Sequence, residues 1–454
     1  MKLEIIILAA GEGSRMHSDT PKVLHTVGGK SLLEHVVDSA LSLSPTGCHV
    51  VVGHGAQAVR EQLGEKPLQW VVQEEQLGTG HAVLQALPAI DDDATVLVLF
   101  GDVPLVRPET LQDLLAQAAT GPALLTAMVA DPFGYGRIQR SDQGEFESVV
   151  EERDASAEQR ALREINTGML AAPALHFKQL LPQVGNDNAQ GEFYLPDMLA
   201  LAVQNQLPVA TASVAEEIEI LGVNDRVQLN RLEREYQLRQ ARELMLAGVG
   251  LADAARIDVR GSLSCGRDVF IDANCVFEGS NELADGVRLG SNCVLIDCEI
   301  GAGVEIKPFT HLEGVRMEAD CVVGPFARLR PDTQLAAGVR IGNFVETKKA
   351  QIGAGSKVNH LSYIGDCDMG AGVNIGAGTI TCNYDGAHKH QTQIGDGVFV
   401  GSNATLVAPL KIAAAGFIGA GSIITKPVDD GQLAISRARQ RNLDGWKRPR
   451  KEEG

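Results

Sequence analysis

The sequence is poor in aromatic residues, in basic charge and in long apolar runs, and each shortage excludes a class of protein. Aromatic residues make up only 4% of the 454 positions, which is unusual for ordinary sandwiches or helix bundles. The 40 lysines and arginines are outnumbered by 58 acidic residues. This balance argues against nucleic-acid binding, which needs a basic surface. No apolar run approaches about 18 residues, so we expect no membrane-spanning helix and no membrane partner.

The eight cysteines contain no CxxC pair, which argues against a zinc or redox site. The apolar stretch 5–10 could be mistaken for a short signal peptide. Glu4 and the Gly/Arg-rich stretch 11–15 favour a buried first strand instead. We therefore expect reduced thiols and a cytoplasmic protein.

Glycine, by contrast, is abundant at 49 residues, and the chain changes character near residue 250. The pattern predicts an α/β domain over residues 1–225, a linker helix over 226–250 and a repeat domain with a basic tail over 251–454. The linker prediction rests on a Glu/Arg/Leu/Gln-rich segment without Gly or Pro, which Gly248 and Gly250 terminate.

Apolar runs alternate with helix-like stretches in the first domain. The predicted strands are 5–10, 50–52, 96–100 and 124–129. The predicted helices are 32–43, 82–87 and 109–119. This alternation predicts βαβ units and a mostly parallel sheet covered on both faces. Ligands of such sheets bind beyond the carboxyl ends of the strands.

A six-residue period marks the second domain. The longest run is Ile394, Val400, Leu406, Ile412, Ile418 and Ile424, and shorter runs are Val294, Ile300, Ile306, Leu312 and Ile352, Val358, Ile364. A period of six fits neither an amphipathic helix nor a simple alternating strand. It predicts a parallel β-helix, in which each short strand contributes one inward aliphatic residue and then turns. The period breaks between Ile375 and Ile394, where residues 382–390 are predicted to form a loop that carries binding residues.

A glycine-rich turn follows the first predicted strand. It reads Leu8-Ala9-Ala10-Gly11-Glu12-Gly13-Ser14-Arg15-Met16, and Pro21-Lys22 comes shortly after. Glycines allow close approach of the backbone to phosphates, and Arg15 and Lys22 add positive charge. The order of the residues disfavours a Walker loop. By itself, the turn is also compatible with a tight strand–helix connection.

These residues resemble the signature of sugar-1-phosphate nucleotidyltransferases, and further blocks follow in the same order. The blocks are Gln73, Gly78-Thr79, Phe100-Gly101-Asp102, Gly134-Tyr135-Gly136, Glu151 and Asn166-Thr167-Gly168. With the repeats attached, nearly the whole chain is similar to the bacterial bifunctional N-acetylglucosamine-1-phosphate uridylyltransferase / glucosamine-1-phosphate N-acetyltransferase family. Ser14 departs from a frequent Thr, and Phe100 from the Tyr of some relatives. The resemblance implies an α/β nucleotidyltransferase (Rossmann-like) domain followed by a left-handed parallel β-helix of hexapeptide repeats.

The resemblance implies that the first domain transfers uridylyl from UTP to N-acetylglucosamine-1-phosphate and releases pyrophosphate. Arg15 and Lys22 would then act on the triphosphate, while Asp102 and Asn224 would hold Mg²⁺, a cation that prefers oxygen ligands. The residues implied to bind the nucleotide and its sugar are Leu8, Ala9, Ala10, Gly11, Lys22, Gln73, Gly78, Thr79, Phe100, Gly101, Asp102, Gly136, Glu151, Asn166 and Asn224. Without the family match, Asp102 could be a turn residue and Asn224 a helix N-cap.

The resemblance also implies that the second domain acetylates glucosamine-1-phosphate from acetyl-CoA. His360 would be the general base, because an imidazole titrates near neutrality, and Glu346 would orient it. The residues implied to bind glucosamine-1-phosphate are Arg330, Lys348, Tyr363, Asn374, Asn383 and Tyr384. Those implied to bind acetyl-CoA are Ala377, Ser402, Ala420 and Arg437, with the backbone N–H of Ala377 as an oxyanion donor. A lone histidine is otherwise more often a surface residue.

Three functions remain open from the sequence. The first is a two-reaction enzyme that makes UDP-N-acetylglucosamine for peptidoglycan and lipopolysaccharide. The second is a nucleotidyltransferase whose β-helix only oligomerises, and the third is a nucleotide-sensing scaffold without turnover. The resemblance further implies a homotrimer, for which the sequence gives only the indirect argument that three parallel prisms would bury the flat aliphatic coil faces.

Overall fold

The protein is described by a computed structural model that covers residues 2–11, 13–53, 55–449 and 451. The chain divides into two compact units, Met1–Tyr236 and Gln237–Gly454. No helix among the described residues is long and apolar enough to cross a membrane.

The first unit is built on a mixed β-sheet with helices between its strands. The strands are β1 (Lys2–Ala9), β2 (Thr26–Val27), β3 (Lys30–Ser31), β4 (Gly47–Val52), β5 (Gln69–Val72), β6 (Ala94–Phe100), β7 (Ala123–Met128), β8 (Arg137–Arg140), β9 (Phe146–Val150), β10 (Glu164–Pro173) and β11 (Ala210–Ser213). The helices are α1 (Leu32–Ser42), α2 (Ala56–Leu63), α3 (Thr79–Ala86), α4 (Pro108–Gln117), α5 (Ala157–Arg160), α6 (Ala174–Leu180) and α7 (Asp197–Gln204).

The sheet has the strand order β11-β7-β10-β6-β1-β4-β5, and only β10 runs antiparallel to its neighbours along this path. Strand β1 is central because both of its faces are apolar. Ile5 and Ile7 pack in one core cluster, whereas Ile6 and Leu8 pack in the other. A strand buried on both faces is typical of a parallel sheet covered by helices on each side. The predicted α/β arrangement is therefore confirmed.

Helix α8 (Arg226–Leu246) starts where the linker helix is predicted but ends four residues before the predicted end. The two compact units divide inside this helix, after Tyr236. In the first unit Leu232 is buried beside Val27, and in the second unit Gln237 donates a hydrogen bond to the backbone oxygen of Val259 at 2.9 Å. Each half of the helix thus belongs to the core of one unit.

The second unit is a parallel β-helix made of very short strands. They are β12 (Gly250–Leu251), β13 (Ile257–Cys265), β14 (Phe270–Ile271), β15 (Cys275–Leu283), β16 (Arg288–Leu289), β17 (Val294–Ile296), β18 (Glu299–Ile300), β19 (Glu305–Ile306), β20 (His311–Glu313), β21 (Val315–Met317), β22 (Val322–Val323), β23 (Arg328–Leu329), β24 (Thr333–Leu335), β25 (Arg340–Asn343), β26 (Glu346–Ile352), β27 (Lys357–His360), β28 (Tyr363–Met369), β29 (Asn374–Ile375), β30 (Ile380–Cys382), β31 (Thr392–Ile394), β32 (Phe399–Val400), β33 (Thr405–Val407), β34 (Leu410–Ile412), β35 (Phe417–Ile418), β36 (Ile423–Ile424) and β37 (Leu433–Ala434).

The six-residue period is confirmed as the source of the β-helix core. All six residues of the run from Ile394 to Ile424 are buried, as are Ile352, Val358 and Ile364. The assignment of Val294 is wrong, because Leu295 is the residue that points inward. The spacing from Leu295 to Ile300 is one residue shorter than six, so a stack of strands can keep its register while the number of residues per coil varies.

The inward aliphatic residues fill the core of the coils. The interruption between Ile375 and Ile394 is, as predicted, a loop outside the β-helix. It leaves the stack after β30 and returns at β31, and Tyr384 pairs with Lys389 within it.

Two candidate active sites

The first candidate site is a cavity of about 250 Å³ at the carboxyl ends of β1 and β6, where the sheet architecture predicts one. Most residues of the predicted nucleotide site line it. They are Leu8, Ala9, Ala10, Gly11, Lys22, Gln73, Gly78, Thr79, Phe100 and Asp102. Gly101 lies beside it, where a Cβ atom would stand 3.2 Å from the backbone oxygen of Leu8.

Four predicted residues from distant parts of the chain meet at one side of this cavity. Lys22 Nζ donates to Asp102 Oδ2 at 2.5 Å and reaches Asn224 Oδ1 at 3.5 Å. Arg15 donates to the same Asn224 oxygen at 3.0 Å. The side chains of Lys22 and Asp102 are only 13% and 19% exposed, so their attraction is weakly screened by solvent. The structure therefore gathers two cations and two oxygen ligands at one point.

The oxygens of Asp102 and Asn224 fit the predicted Mg²⁺. Both face one cation already, the ammonium group of Lys22. Mg²⁺ is usually held by one or two protein oxygens together with substrate phosphates and water. A site with so few protein ligands would not form a cluster of three or more His, Cys, Asp or Glu side chains, and no such cluster is found among the described residues.

Two local features shape the nucleotide end of the cavity. Gly13 has a φ of +65°, and a Cβ atom on it would lie 2.6 Å from Cβ of Lys22, so only glycine lets the turn pass this closely. Gln73 is buried and donates to the backbone oxygen of Gly78 at 3.2 Å. The predicted uracil-reading residues are thus held together before any ligand arrives.

The predicted sugar residues form an adjoining group. The backbone N–H of Asn166 donates to the oxygen of Gly136 at 2.8 Å, and a Cβ atom on Gly136 would stand 2.9 Å from a carboxylate oxygen of Glu151. Burial raises the pKa of Glu151, and the nearby carboxylates of Asp197 and Asp154 raise it further. A carboxylate in this setting gains from hydrogen-bond donors, which sugar hydroxyl groups supply.

The second candidate site lies on the β-helix and begins with an ion pair between adjacent coils. Arg330 donates to Glu346 at 3.0 Å, and Glu346 is paired in register with Tyr363 on the next coil. The neighbouring cations Lys389 and Arg330 lower the pKa of Lys348. Arg330, Lys348 and Lys389 repel one another, so they are suited to bind a phosphate group, whose negative charge relieves the repulsion.

The loop between β30 and β31 contributes the other predicted sugar-phosphate residues. Asn383 donates to the hydroxyl of Tyr363 at 3.4 Å and also contacts Asp366. The hydroxyl of Tyr384 donates to the backbone oxygen of Gly386 at 2.6 Å. Asn374 lies apart from these residues, paired in register with Lys357 on the sheet that also carries His360.

His360 is held differently from the expectation. Its Nδ1 lies 3.0 Å from Oδ1 of Asn343, its register partner on the preceding coil. The carboxylate of Glu346 instead pairs with Arg330. Asn343 and not Glu346 stands at the matching register position one coil away, so the role of Glu346 toward the imidazole stays a prediction.

The predicted acetyl-CoA residues continue the corner of the β-helix that carries His360. Successive coils are joined there by backbone hydrogen bonds from Gly378 to His360, from Asn403 to Ala377 and from Gly421 to Ser402. Ala420 precedes Gly421 at the same corner, and Arg437 donates a hydrogen bond to the backbone oxygen of Ala420 at 2.5 Å.

The backbone N–H of Ala377 makes no hydrogen bond to the part of the chain that the structure describes, so it is free to act as the predicted oxyanion donor. Residues 438–449 of the tail are exposed, and Arg450 lies outside the described residues.

Sequence reasoning missed several residues. Val23, Gln76, Ala82 and Glu192 also line the first cavity. Lys389 belongs to the basic cluster of the second site, and Asn343 contacts the imidazole. The signal for Asn343 was its distance of 17 residues from His360, which is one coil of the β-helix.

The fold and the two sites together define a class of protein: a nucleotidyltransferase unit followed along the chain by a parallel β-helix with a transferase site. A family profile described as "MobA-like NTP transferase domain" matches residues 5–190. The chain is 55% identical over 450 residues to the "Bifunctional protein GlmU" of Marinobacter nauticus, with 99% of each chain covered. It is 54% identical over 447 residues to the protein of that name from Alkalilimnicola ehrlichii, covering 98% of this chain and 96% of the relative.

The chain belongs to the family of bifunctional GlmU proteins. This membership confirms the enzyme class that the motifs implied: a transferase with uridylyltransferase and acetyltransferase activities in the synthesis of UDP-N-acetylglucosamine. It also confirms Mg²⁺ and acetyl-CoA as the cofactor and the acetyl donor. Among solved structures, a nucleotidyl transferase from Methanothermobacter thermautotroptrophicus is 21% identical, with a TM-score of 0.38, and covers 53% of this chain and 99% of its own.

Proposed function

We propose that the cavity at the ends of β1 and β6 is where uridylyl transfer occurs. The observation that supports this is the meeting of Arg15, Lys22, Asp102 and Asn224 at its edge. The phosphate of N-acetylglucosamine-1-phosphate attacks the α-phosphorus of UTP, the bond to the β-phosphate breaks, and pyrophosphate leaves in line. No covalent intermediate on the protein is required.

The residues of the cavity bind and orient the two substrates. Arg15 and Lys22 hold the triphosphate and stabilise the charge on the phosphoryl group in transfer. Gln73 and Thr79 bind uracil, while Glu151 and Asn166 bind the sugar hydroxyls and the acetamido group. Mg²⁺, held by Asp102 and Asn224, neutralises phosphate charge when it is bound.

Acetyl transfer is assigned to the corner of the β-helix between Asn343 and Ala420. The amine of glucosamine-1-phosphate attacks the thioester carbonyl, His360 takes the amine proton, and the thiol of coenzyme A leaves. Arg330, Lys348 and Lys389 bind the phosphate, and the free N–H of Ala377 stabilises the oxyanion. The acetyl-CoA chain lies along Ser402 and Ala420. The continuous corner that joins these residues supports this assignment against a purely structural β-helix.

A paired assay on one preparation tests both assignments. Pyrophosphate release is measured with UTP and N-acetylglucosamine-1-phosphate, and thiol release with acetyl-CoA and glucosamine-1-phosphate. We expect both activities in the wild type. Lys22→Ala should remove only the first activity, and Lys348→Ala should weaken only the second. Loss of the same activity in both variants would contradict the assignment of two separate sites.

The oligomer and the compartment belong to the same proposal. We propose a homotrimer, supported by the family resemblance, and a cytoplasmic location, supported by the eight free cysteines. Sedimentation at several protein concentrations tests the trimer, and a monomer at micromolar concentration would contradict it.

A further inference from the structure

Asn343, on the preceding coil, contacts both the ring of His360 and the backbone that follows it. Its side-chain Oδ1 lies 3.0 Å from Nδ1 of the imidazole, and its backbone oxygen accepts a hydrogen bond from the N–H of Leu361 at 3.1 Å. Ser362 adds a third restraint by donating to the backbone oxygen of His360 at 2.8 Å. The imidazole is therefore held at Nδ1, and two further hydrogen bonds fix the backbone of the corner that carries it.

A neutral imidazole exists in two forms that differ in which nitrogen carries the proton. It can accept the proton of an attacking amine only through the nitrogen that is unprotonated. An amide oxygen accepts hydrogen bonds and cannot donate them, so Oδ1 of Asn343 stabilises the form with the proton on Nδ1. Nε2 is then left as the basic nitrogen.

We propose that Asn343 is a positioning residue for acetyl transfer: its amide oxygen selects the form of His360 in which Nε2 is the base. This inference rests on the proposed role of His360 and adds the group that sets its proton. Because this acceptor is uncharged, replacing the amide with a carboxylate separates the effect of orientation from the effect of charge.

The charged groups on the neighbouring strands do not offer an alternative. They are Arg340 on β25, Glu346, Lys348 and Lys349 on β26, and Lys357 on β27 itself. None of them contacts the imidazole within the described part of the chain, and Glu346 is engaged by Arg330. The neutral amide of Asn343 is thus the side chain that orients the ring.

Two substitutions in the full-length protein test the inference, with acetyl transfer measured from pH 5.5 to 9. Asn343→Leu keeps the size of the side chain but removes the acceptor, and we expect kcat to fall about ten- to a hundredfold, as for other partners that orient a histidine. The KM for glucosamine-1-phosphate should stay unchanged. Asn343→Asp keeps the oxygen and adds charge, so it should rescue kcat at high pH.

The aspartate should also move the acidic limb of the pH profile upward by about one unit, because a nearby negative charge raises the pKa of an imidazole. Gln351→Leu is the matched control, since it makes the same amide-to-leucine change at an exposed position of β26. It should leave both kcat and the pH profile as in the wild type. Thermal unfolding of each variant shows whether the β-helix remains folded.

The outcomes separate this inference from the proposed function. If His360→Ala abolishes acetyl transfer while Asn343→Leu has a wild-type kcat, or if Asn343→Asp leaves the acidic limb in place, the positioning role is wrong and the base remains. A rise in KM at constant kcat would make Asn343 a substrate ligand and also overturn the inference. If His360→Ala retains acetyl transfer, the proposed role of His360 itself fails.

Discussion

The ammonium group of Lys22 lies 2.5 Å from the carboxylate of Asp102, between the two oxygens assigned to Mg²⁺. The lysine thus neutralises the charge of Asp102, which reduces the cost of holding a largely buried carboxylate. When a triphosphate is bound, the same lysine has a stronger partner in the phosphate oxygens. One side chain can therefore stabilise the free site and bind the substrate.

Asp102→Ala should abolish uridylyl transfer and leave acetyl transfer nearly intact. The change removes the one anionic ligand at the proposed metal site, which we expect to cost several kcal/mol of transition-state stabilisation. Pyrophosphate release and thiol release are measured on the same preparation. Asp113→Ala is the control, since Asp113 is an exposed aspartate of α4. Undiminished pyrophosphate release by Asp102→Ala would rule out the metal assignment.

The acidic group beside the sugar residues predicts a pH dependence of sugar binding. Burial raises the pKa of Glu151, and Asp197 is the first of the carboxylates that raise it further. As the pH falls through this raised pKa, Glu151 takes up a proton and binds sugar hydroxyls less well. As the pH is lowered, the KM for N-acetylglucosamine-1-phosphate should therefore begin to rise at a higher pH than it would if Glu151 had the pKa of an ordinary glutamate.

Asp197→Asn should move that rise in KM to lower pH, because it removes a negative charge that favours protonation of Glu151. Well above the transition, Glu151 is charged in both proteins, so KM there should stay as in the wild type. The measurement is KM against pH for both proteins. Coinciding profiles would mean that Glu151 is not the titrating group.

The order of elements and the position of the first site could be predicted from the sequence, because local patterns determine both. Alternating apolar runs specify the sheet, and parallel strands place Leu8 and Asp102 at one edge of it. The six-residue period likewise specifies the core of the β-helix. The exact register of the strands could not be predicted, because Val294 and Leu295 are both apolar and the sequence does not tell which one points inward. The structure shows that Leu295 is the buried residue.

The partners of individual side chains were harder to predict, because they depend on register between coils. Glu346 is close to His360 in sequence, yet the register partner of His360 on the preceding coil is Asn343. The boundary between the units was hidden for a similar reason. Tyr236 and Gln237 are consecutive residues of one uninterrupted helix, and only their packing assigns them to different cores.

His360→Ala should be the converse of the metal-site change, with acetyl transfer lost and uridylyl transfer kept. The amine must lose a proton as it attacks, and a positioned base typically contributes about 10²- to 10⁴-fold. Thiol release from acetyl-CoA measures the loss. His311→Ala, in β20 of the same β-helix, is the matched control and should behave as the wild type. Turnover of His360→Ala within a few-fold of the wild type would make His360 a structural residue.

A fragment of residues 1–236 should be folded and active in uridylyl transfer, whereas a fragment of residues 1–225 should be much less stable. The shorter fragment lacks Leu232, which is buried beside Val27, and Glu233, which accepts a hydrogen bond from the N–H of Gly28 at 2.8 Å. Thermal unfolding and pyrophosphate release compare the two. Equal melting temperatures would show that the first half of α8 contributes nothing to the first unit, and would favour the boundary at residue 225.

Asp385→Asn should weaken the binding of glucosamine-1-phosphate without removing acetyl transfer. Asp385 closes the loop between β30 and β31 by accepting hydrogen bonds from the backbone N–H groups of Ala387 and His388 and from the ring of His390. These donors, the N–H of His388 first, hold the pKa of Asp385 well below its usual value, so the carboxylate stays charged throughout the working range of pH.

An asparagine at position 385 keeps one acceptor oxygen but loses the charge that makes these hydrogen bonds strong. The loop should then hold Lys389 and Tyr384 less firmly, and since both belong to the sugar-phosphate site, KM should rise several-fold while kcat changes little. Asp396→Asn is the control, because Asp396 also accepts a backbone hydrogen bond, from Ala371, but lies outside this loop. An unchanged KM in Asp385→Asn would show that the loop does not position the phosphate ligands. A loss confined to kcat would place its effect on the chemical step instead.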